Sequence, residues 1–120
     1  MNKKNDIRPW GKYFVIKDED NFKLKIIEVN PNSRLSYQYH NKRSECWTII
    51  KGKGIVTING KEQNINYGDS IKIKQGDKHR IYNNTNSKLV FVEVQTGKYF
   101  GEDDIVRIDD DYNRLETWIN

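Results

Sequence analysis

The chain has little of what most often anchors a functional reading. It has 120 residues, with one cysteine, two histidines, two prolines and one methionine. A lone thiol, Cys46, cannot form an intramolecular bridge, so a disulfide scaffold is excluded and a reducing, cytosolic setting is expected. No apolar run approaches the ~20 residues a membrane-spanning helix needs, so no membrane partner is expected. The opening "MNKKNDIRPWG" has basic residues without an apolar stretch behind them, which is not the pattern of a secretory signal. Helix-period segments are nearly absent, and the pattern holds no internal repeat, low-complexity tract or interdomain linker. The net charge is +4, but the lysines are scattered and mixed with acids, as in "IKDEDNFKLK". That is not the clustered basic face a nucleic-acid partner needs, and it leaves a mild attraction for anionic ligands.

Strand signals, by contrast, recur. "KYFVI", "FKLKIIEV", "RLSYQYH", "CWTII", "GIVTI", "SIKIK", "HRIYN" and "LVFVEV" alternate, or run with β-branched and aromatic residues. Turn clusters separate them: "NPNS", "KGKG", "NGK", "YGDS", "QGDK" and "NNTNS". Asn59-Gly60 is the strongest hairpin signal, because a type I′ turn needs positive φ at both central positions. Short strands at this spacing predict one all-β domain over residues 1–120, a sandwich or barrel. Asp109 to Asn120 reads as one short C-terminal helix, with Tyr112, Leu115 and Ile119 on one face.

The stretch "SYQYHNKRSECW" breaks an alternating strand with polar residues. Gln38 and His40 are two apart and share a strand face. Glu45 opens the next run, where a hairpin returns it beside them, and the second histidine, His79, starts "HRIYN". One amide oxygen, two imidazoles and one carboxylate suit zinc, iron, manganese or nickel better than copper(I). The spacing leaves two readings open: a solvated strand end with ordinary surface residues, or four donors meeting on one divalent cation. Cys46 alternates to the face opposite Glu45 and Trp47 and reads as a buried apolar residue rather than a ligand.

The pattern Asn32-x5-Gln38-x-His40-x4-Glu45-x6-Gly52 resembles the first cupin motif, and Gly68-x5-Lys74-x-Gly76-x2-His79-x3-Asn83 resembles the second. Asn32 replaces a glycine, Gln38 the first histidine and Lys74 a proline; asparagine tolerates positive φ better than most residues. "RPWGKY" at Arg8 to Tyr13, "RLSYQYHNKRSECW" and "FVEVQTGKYFGEDDIVRIDDDYNR" resemble segments of the type II mannose-6-phosphate isomerase cupin, over residues 8–114. That family usually forms the C-terminal part of a bifunctional isomerase and mannose-1-phosphate guanylyltransferase, and it carries glutamine at the first ligand position. The resemblance implies a cupin: a double-stranded β-helix, jelly-roll-like barrel. It also implies the metal ligands Gln38, His40, Glu45 and His79, with zinc favoured over manganese, iron, nickel or cobalt.

The implied reaction interconverts mannose 6-phosphate and fructose 6-phosphate through a cis-enediol, supplying precursors for GDP-mannose and surface polysaccharide. A proton moves between C1 and C2, which needs a base and a positive charge near the oxygens. Glu93 shares strand parity with Gln95 and is the first candidate base. Arg107 is the first candidate cation, catalytic and substrate-binding, with Arg43 and Arg114 as further phosphate-binding candidates and Arg80 ranked lower. Trp10 and Trp47 read as core, or as cover for a subunit interface in a homodimer. A non-catalytic cupin that binds or senses a sugar phosphate or sugar nucleotide is the alternative, and an iron-dependent dioxygenase a weaker third. No glycine-rich nucleotide-binding opening is present, so nucleotide transfer is not expected.

Overall fold

The structure, a computed structural model, describes residues 5–113. Twelve strands run in chain order: β1 (Asn5–Arg8), β2 (Gly11–Asp18), β3 (Phe22–Val29), β4 (Ser33–Arg34), β5 (Tyr37–His40), β6 (Arg43–Lys51), β7 (Lys53–Ile58), β8 (Lys61–Asn66), β9 (Ser70–Ile73), β10 (His79–Asn83), β11 (Leu89–Gly97) and β12 (Ile105–Asp109). They form two antiparallel sheets. The first has the order β1-β2-β3-β11-β6-β9; the second has the order β12-β5-β10-β7-β8, with β4 also on β10. The Asn59-Gly60 turn joins β7 to β8 with both residues at positive φ (49° and 82°), as the hairpin signal predicts. Asn32 also takes positive φ, 54°, so the position that departs from glycine keeps the glycine-like backbone.

Two expectations are corrected. Neither sheet closes on itself, so the architecture is two open sheets sharing a core rather than a barrel. Period-two alternation says which residues face inward; it does not say whether the last strand pairs with the first. Nor does the expected C-terminal helix appear. Asp109 ends β12, residues 110–113 form a turn, and the remaining positions of that segment, with Leu115 and Ile119, lie outside the described residues. The described residues contain no α-helix, only a single 3-10 turn at Glu102–Asp104.

The inner faces change character along their length, and this positions the site. On β6 the inward residues are Arg43, Glu45, Trp47 and Ile49; on β11 they are Leu89, Phe91, Glu93 and Gln95. The two strands pair antiparallel, with Phe91 opposite Ile49, Glu93 opposite Trp47 and Gln95 opposite Glu45. Apolar ends therefore meet apolar ends, and polar ends meet polar ends. Ile49, Val56, Ile81, Leu89 and Phe91 build the core at one end, each worth about 1.5–3 kcal/mol by burial. At the other end the same strands bury carboxyl, amide and guanidinium groups, and these need partners. On β6 the alternate residues Cys46, Thr48 and Ile50 are exposed. Cys46 thus faces away from Glu45 as expected but is not buried, because among the described residues no further layer covers that face.

Candidate metal centre

His40, Glu45 and His79 converge from β5, β6 and β10, with one potential ligand atom from each lying within 4.8 Å of the others. All three are buried, at 3%, 3% and 1% exposure. Glu45 Oε2 lies 3.1 Å from His40 Nε2, and Glu45 Oε1 lies 3.9 Å from His79 Nε2. The rings of His40 and His79 sit 5.0 Å apart.

Local structure fixes each donor. Asp104 accepts the backbone N–H groups of Asn41 and Lys42 at 3.1 and 3.0 Å, clamping the turn between His40 and Glu45. The turn before His79 is tied twice. Asp77 accepts the Lys74 N–H at 2.9 Å and an Asn59 amide N–H at 3.0 Å, and Asn59 Oδ1 accepts the Lys78 N–H at 2.9 Å. Those bonds hold the Asp77 carboxyl below its ordinary range, with the Asn59 bond the largest cause. The Asp77 backbone carbonyl then accepts Nδ1–H of His79 at 2.8 Å. A carbonyl can only accept, so the proton sits on Nδ1 and Nε2 carries the lone pair.

The donor chemistry fits a divalent cation. His79 Nε2 is buried without a hydrogen-bond partner and faces a carboxylate, which cannot donate to it. His40 Nδ1 is likewise buried without a partner. Two imidazoles and a carboxylate are borderline donors of the kind that hold zinc, iron or manganese. Burial works against the Glu45 anion, but the hydrogen bond to His40 and the nearby His40, His79 and Arg43 side chains outweigh it. The carboxyl is held well below the usual carboxylate range. Burial pushes the His79 imidazole below its ordinary value, against a smaller pull from Glu45.

Beside the triad lies a pocket of about 60 Å³, with Glu45 on its wall. The other predicted residues divide. Gln38 lines the pocket and pairs with His79 in register, and Arg107 pairs with Gln38, so the three share one face of the second sheet. Glu93 is buried on the pocket wall. Its Oε1 and the Oε1 of Glu45 share the single Trp47 Nε1–H at 3.1 and 3.0 Å, and its Oε2 accepts from Gln95 at 2.7 Å. Burial, then the Glu45 carboxylate, push the Glu93 carboxyl up to about 8 against the pull of Lys25. Arg43 also lines the pocket, but its Nε donates to Glu45 Oε2 at 3.2 Å and its Nη1 to the Phe100 carbonyl at 3.4 Å. Arg80 donates to the Leu35 carbonyl and to Asp109, tying β10 to β12. Arg114 lies outside the described residues.

Sequence reasoning misses Arg8, Tyr13 and Lys25, which also line the pocket. A signal for Lys25 does exist: it shares parity with the inward Ile27 and Val29 on β3.

Two open antiparallel sheets with a shared core, and a His-His-Glu cluster on the strands predicted to carry it, define a cupin. Within that class, the chain belongs to the family described as mannose-6-phosphate isomerase C-terminal, matched over residues 1–110. It is homologous to the C-terminal isomerase-like domain of bifunctional guanylyltransferase and isomerase proteins. It is 40% identical over 107 residues to mannose-1-phosphate guanylyltransferase of Klebsiella pneumoniae, covering 89% of this chain and 23% of that protein. It is 39% identical over 107 residues to the alginate biosynthesis protein AlgA of Pseudomonas aeruginosa, covering 89% of this chain and 22% of that one. The chain thus spans about a quarter of the relatives' length. Among solved structures, the capsular polysaccharide assembling protein CapF of Staphylococcus aureus shares the fold, with TM-score 0.79 and 16% identity over 91% of this chain and 32% of that one. Among the described residues no helix is long and apolar enough to cross a membrane.

Proposed function

We propose that this cupin is a metal-dependent aldose–ketose isomerase acting on mannose 6-phosphate and fructose 6-phosphate. The observation that carries the proposal is the contact of one carboxylate with two environments. Glu45 belongs to the buried His-His-Glu cluster and also lines the pocket that holds Glu93. His40, Glu45 and His79, with Gln38 as fourth donor, would hold a divalent cation, which when bound would supply positive charge near the substrate oxygens that become negative as the carbon acid ionises.

The protein's own groups do the rest. Glu93 takes the proton from C2 of the aldose and returns it to C1, while the O2 hydroxyl proton passes to O1. Trp47 and Gln95 hold the Glu93 carboxyl in place through one hydrogen bond to each oxygen. Arg107, in register with Gln38, adds positive charge at the metal end of the pocket. Arg43 orients Glu45 through its Nε, so its part is to position a ligand. Zinc as the cation, a cytosolic setting and a homodimer complete the proposal. Its support is the family membership together with the donor set, and it extends to one cupin unit rather than to the guanylyltransferase activity of the longer relatives.

A coupled assay for fructose 6-phosphate formation tests it. Turnover that disappears on chelation, returns with metal and is lost in His79→Ala supports the isomerase. Tight binding of mannose 6-phosphate by the metal-loaded protein without turnover supports the sensing alternative instead.

A further inference from the structure

Lys25 lies on β3 and is buried, with 5% exposure. Among the described residues its ammonium has neither a hydrogen bond nor an ion pair. Its contact is with the ring face of Tyr13, 4.3 Å from the centroid. Arg8, on β1, comes to the same ring, with its guanidinium carbon 5.1 Å from the centroid and Nη2 donating to the Tyr13 hydroxyl at 3.1 Å. All three side chains line the pocket. Glu93 is the cross-strand partner of Lys25 in register, yet its two oxygens are engaged by Trp47 and Gln95. A buried ammonium is costly without an anion bonded to it, and the ring face and the nearby Glu93 carboxyl compensate only in part. A second cation on the same ring adds repulsion.

We propose that Lys25, Arg8 and Tyr13 form a phosphate-binding site distinct from the metal cluster, which receives the phosphate end of the substrate. The assignment of that phosphate to a sugar substrate rests on the isomerase reading; the anion site itself does not. Lys25 on β3 is separated from Glu45 on β6 by the single strand β11. Two strand spacings make roughly 10 Å. That suits a substrate whose reacting carbons lie at one end of a six-carbon chain and whose phosphate lies at the other. Glu93 projects from the intervening strand, between the two ends. Lysine supplies a point charge and arginine a fork, and together they match the oxygens of a phosphate dianion.

The test is calorimetric titration of the metal-loaded protein with inorganic phosphate, using wild type, Lys25→Met, Lys25→Arg and the exposed control Lys88→Met. Methionine keeps the packing on Tyr13 and removes only the charge. Phosphate affinity is expected to fall at least about tenfold in Lys25→Met, and to stay within about threefold in Lys25→Arg and Lys88→Met, with metal content equal in all four. Absence of phosphate binding in wild type, or equal affinity in Lys25→Met, overturns the site. If Lys25→Met does not fold, Arg8→Gln replaces it: a tenfold loss of phosphate affinity supports the site, and an unchanged affinity overturns it. Phosphate bound through Lys25 in a protein without isomerase turnover keeps this site and removes the isomerase reading.

Discussion

The backbone carbonyl of Asp77 accepts Nδ1–H of His79 at 2.8 Å, and that bond decides which nitrogen His79 has left to offer. The carbonyl is placed by its own residue's side chain, which holds the Lys74 amide and the Asn59 amide group. A surface turn thus sets the tautomer of a buried ligand. Partners that orient ligand imidazoles are typically worth 10–100-fold in metal affinity. Asp77→Ala, which loosens the turn and leaves the backbone carbonyl in the chain, is expected to weaken zinc affinity by about tenfold. Competition titration with a chromophoric chelator measures it, and an unchanged affinity would show that the turn does not orient His79.

The Trp47 indole N–H serves Glu45 and Glu93 together, while its ring packs on Phe91 at 4.9 Å between centroids. Trp47→Phe keeps much of the packing but leaves two buried carboxyl groups sharing no donor. A destabilisation of about 2–4 kcal/mol is expected, from the lost hydrogen bond and the reduced volume. Denaturant unfolding with an unchanged slope checks it.

Glu93 gives the metal-stripped protein a pH signature. Its carboxyl is raised from 4.5 to about 8 by burial and by Glu45. The folded state therefore holds more protons than the unfolded state between those values. The contribution is fully present below pH 4.5 and is lost as pH rises through about 8. Glu93→Gln stays neutral throughout. Relative to wild type, its melting temperature is expected to rise steadily from pH 5 to pH 8.5. A constant difference across that range would place the Glu93 pKa near the usual carboxylate value. In the metal-loaded protein the same substitution is expected to lower kcat by at least about a hundredfold.

Arg34 and Asp111 give the opposite slope on the surface. They form two parallel bonds at 2.7 and 2.8 Å, and the Arg34 hydrogen bond holds the Asp111 carboxyl below its ordinary 3.8. This contribution is present above 3.8 and is lost as pH falls through the lowered value. The pair is largely exposed, so Asp111→Asn is expected to cost about 0–1 kcal/mol at pH 7 and less at pH 2. Thermal melts at the two pH values distinguish this from a pH-independent loss.

Much of this arrangement is legible in the chain. Alternation gives the strand faces, so the inward parity of Glu45 with Trp47, of Glu93 with Gln95, and of Gln38 with His40 follows from counting by two. The register that brings β5, β6 and β10 together comes from long-range pairing, which local pattern does not encode. Cys46 shows the same boundary: parity places it opposite Glu45, but its exposure depends on whether another layer covers that face, and none of the described residues does. The helical spacing of Tyr112, Leu115 and Ile119 misleads at its start, where Asp109 ends a strand and residues 110–113 turn. In the described part, Asp109 and Asp111 instead meet Arg80 and Arg34, contacts across the fold that no local period reveals. Lys25 escapes a sequence reading because a lysine in "FKLKIIEV" reads as solvent-facing, although its parity with Ile27 and Val29 points inward.

Zinc stoichiometry, measured by elemental analysis on dialysed wild type, Glu45→Gln and His79→Ala, goes most directly to the central claim. One equivalent in wild type, and less than about a tenth of that in either variant, is the predicted result. Equal metal content in all three folded proteins, or none in wild type after loading, would contradict it.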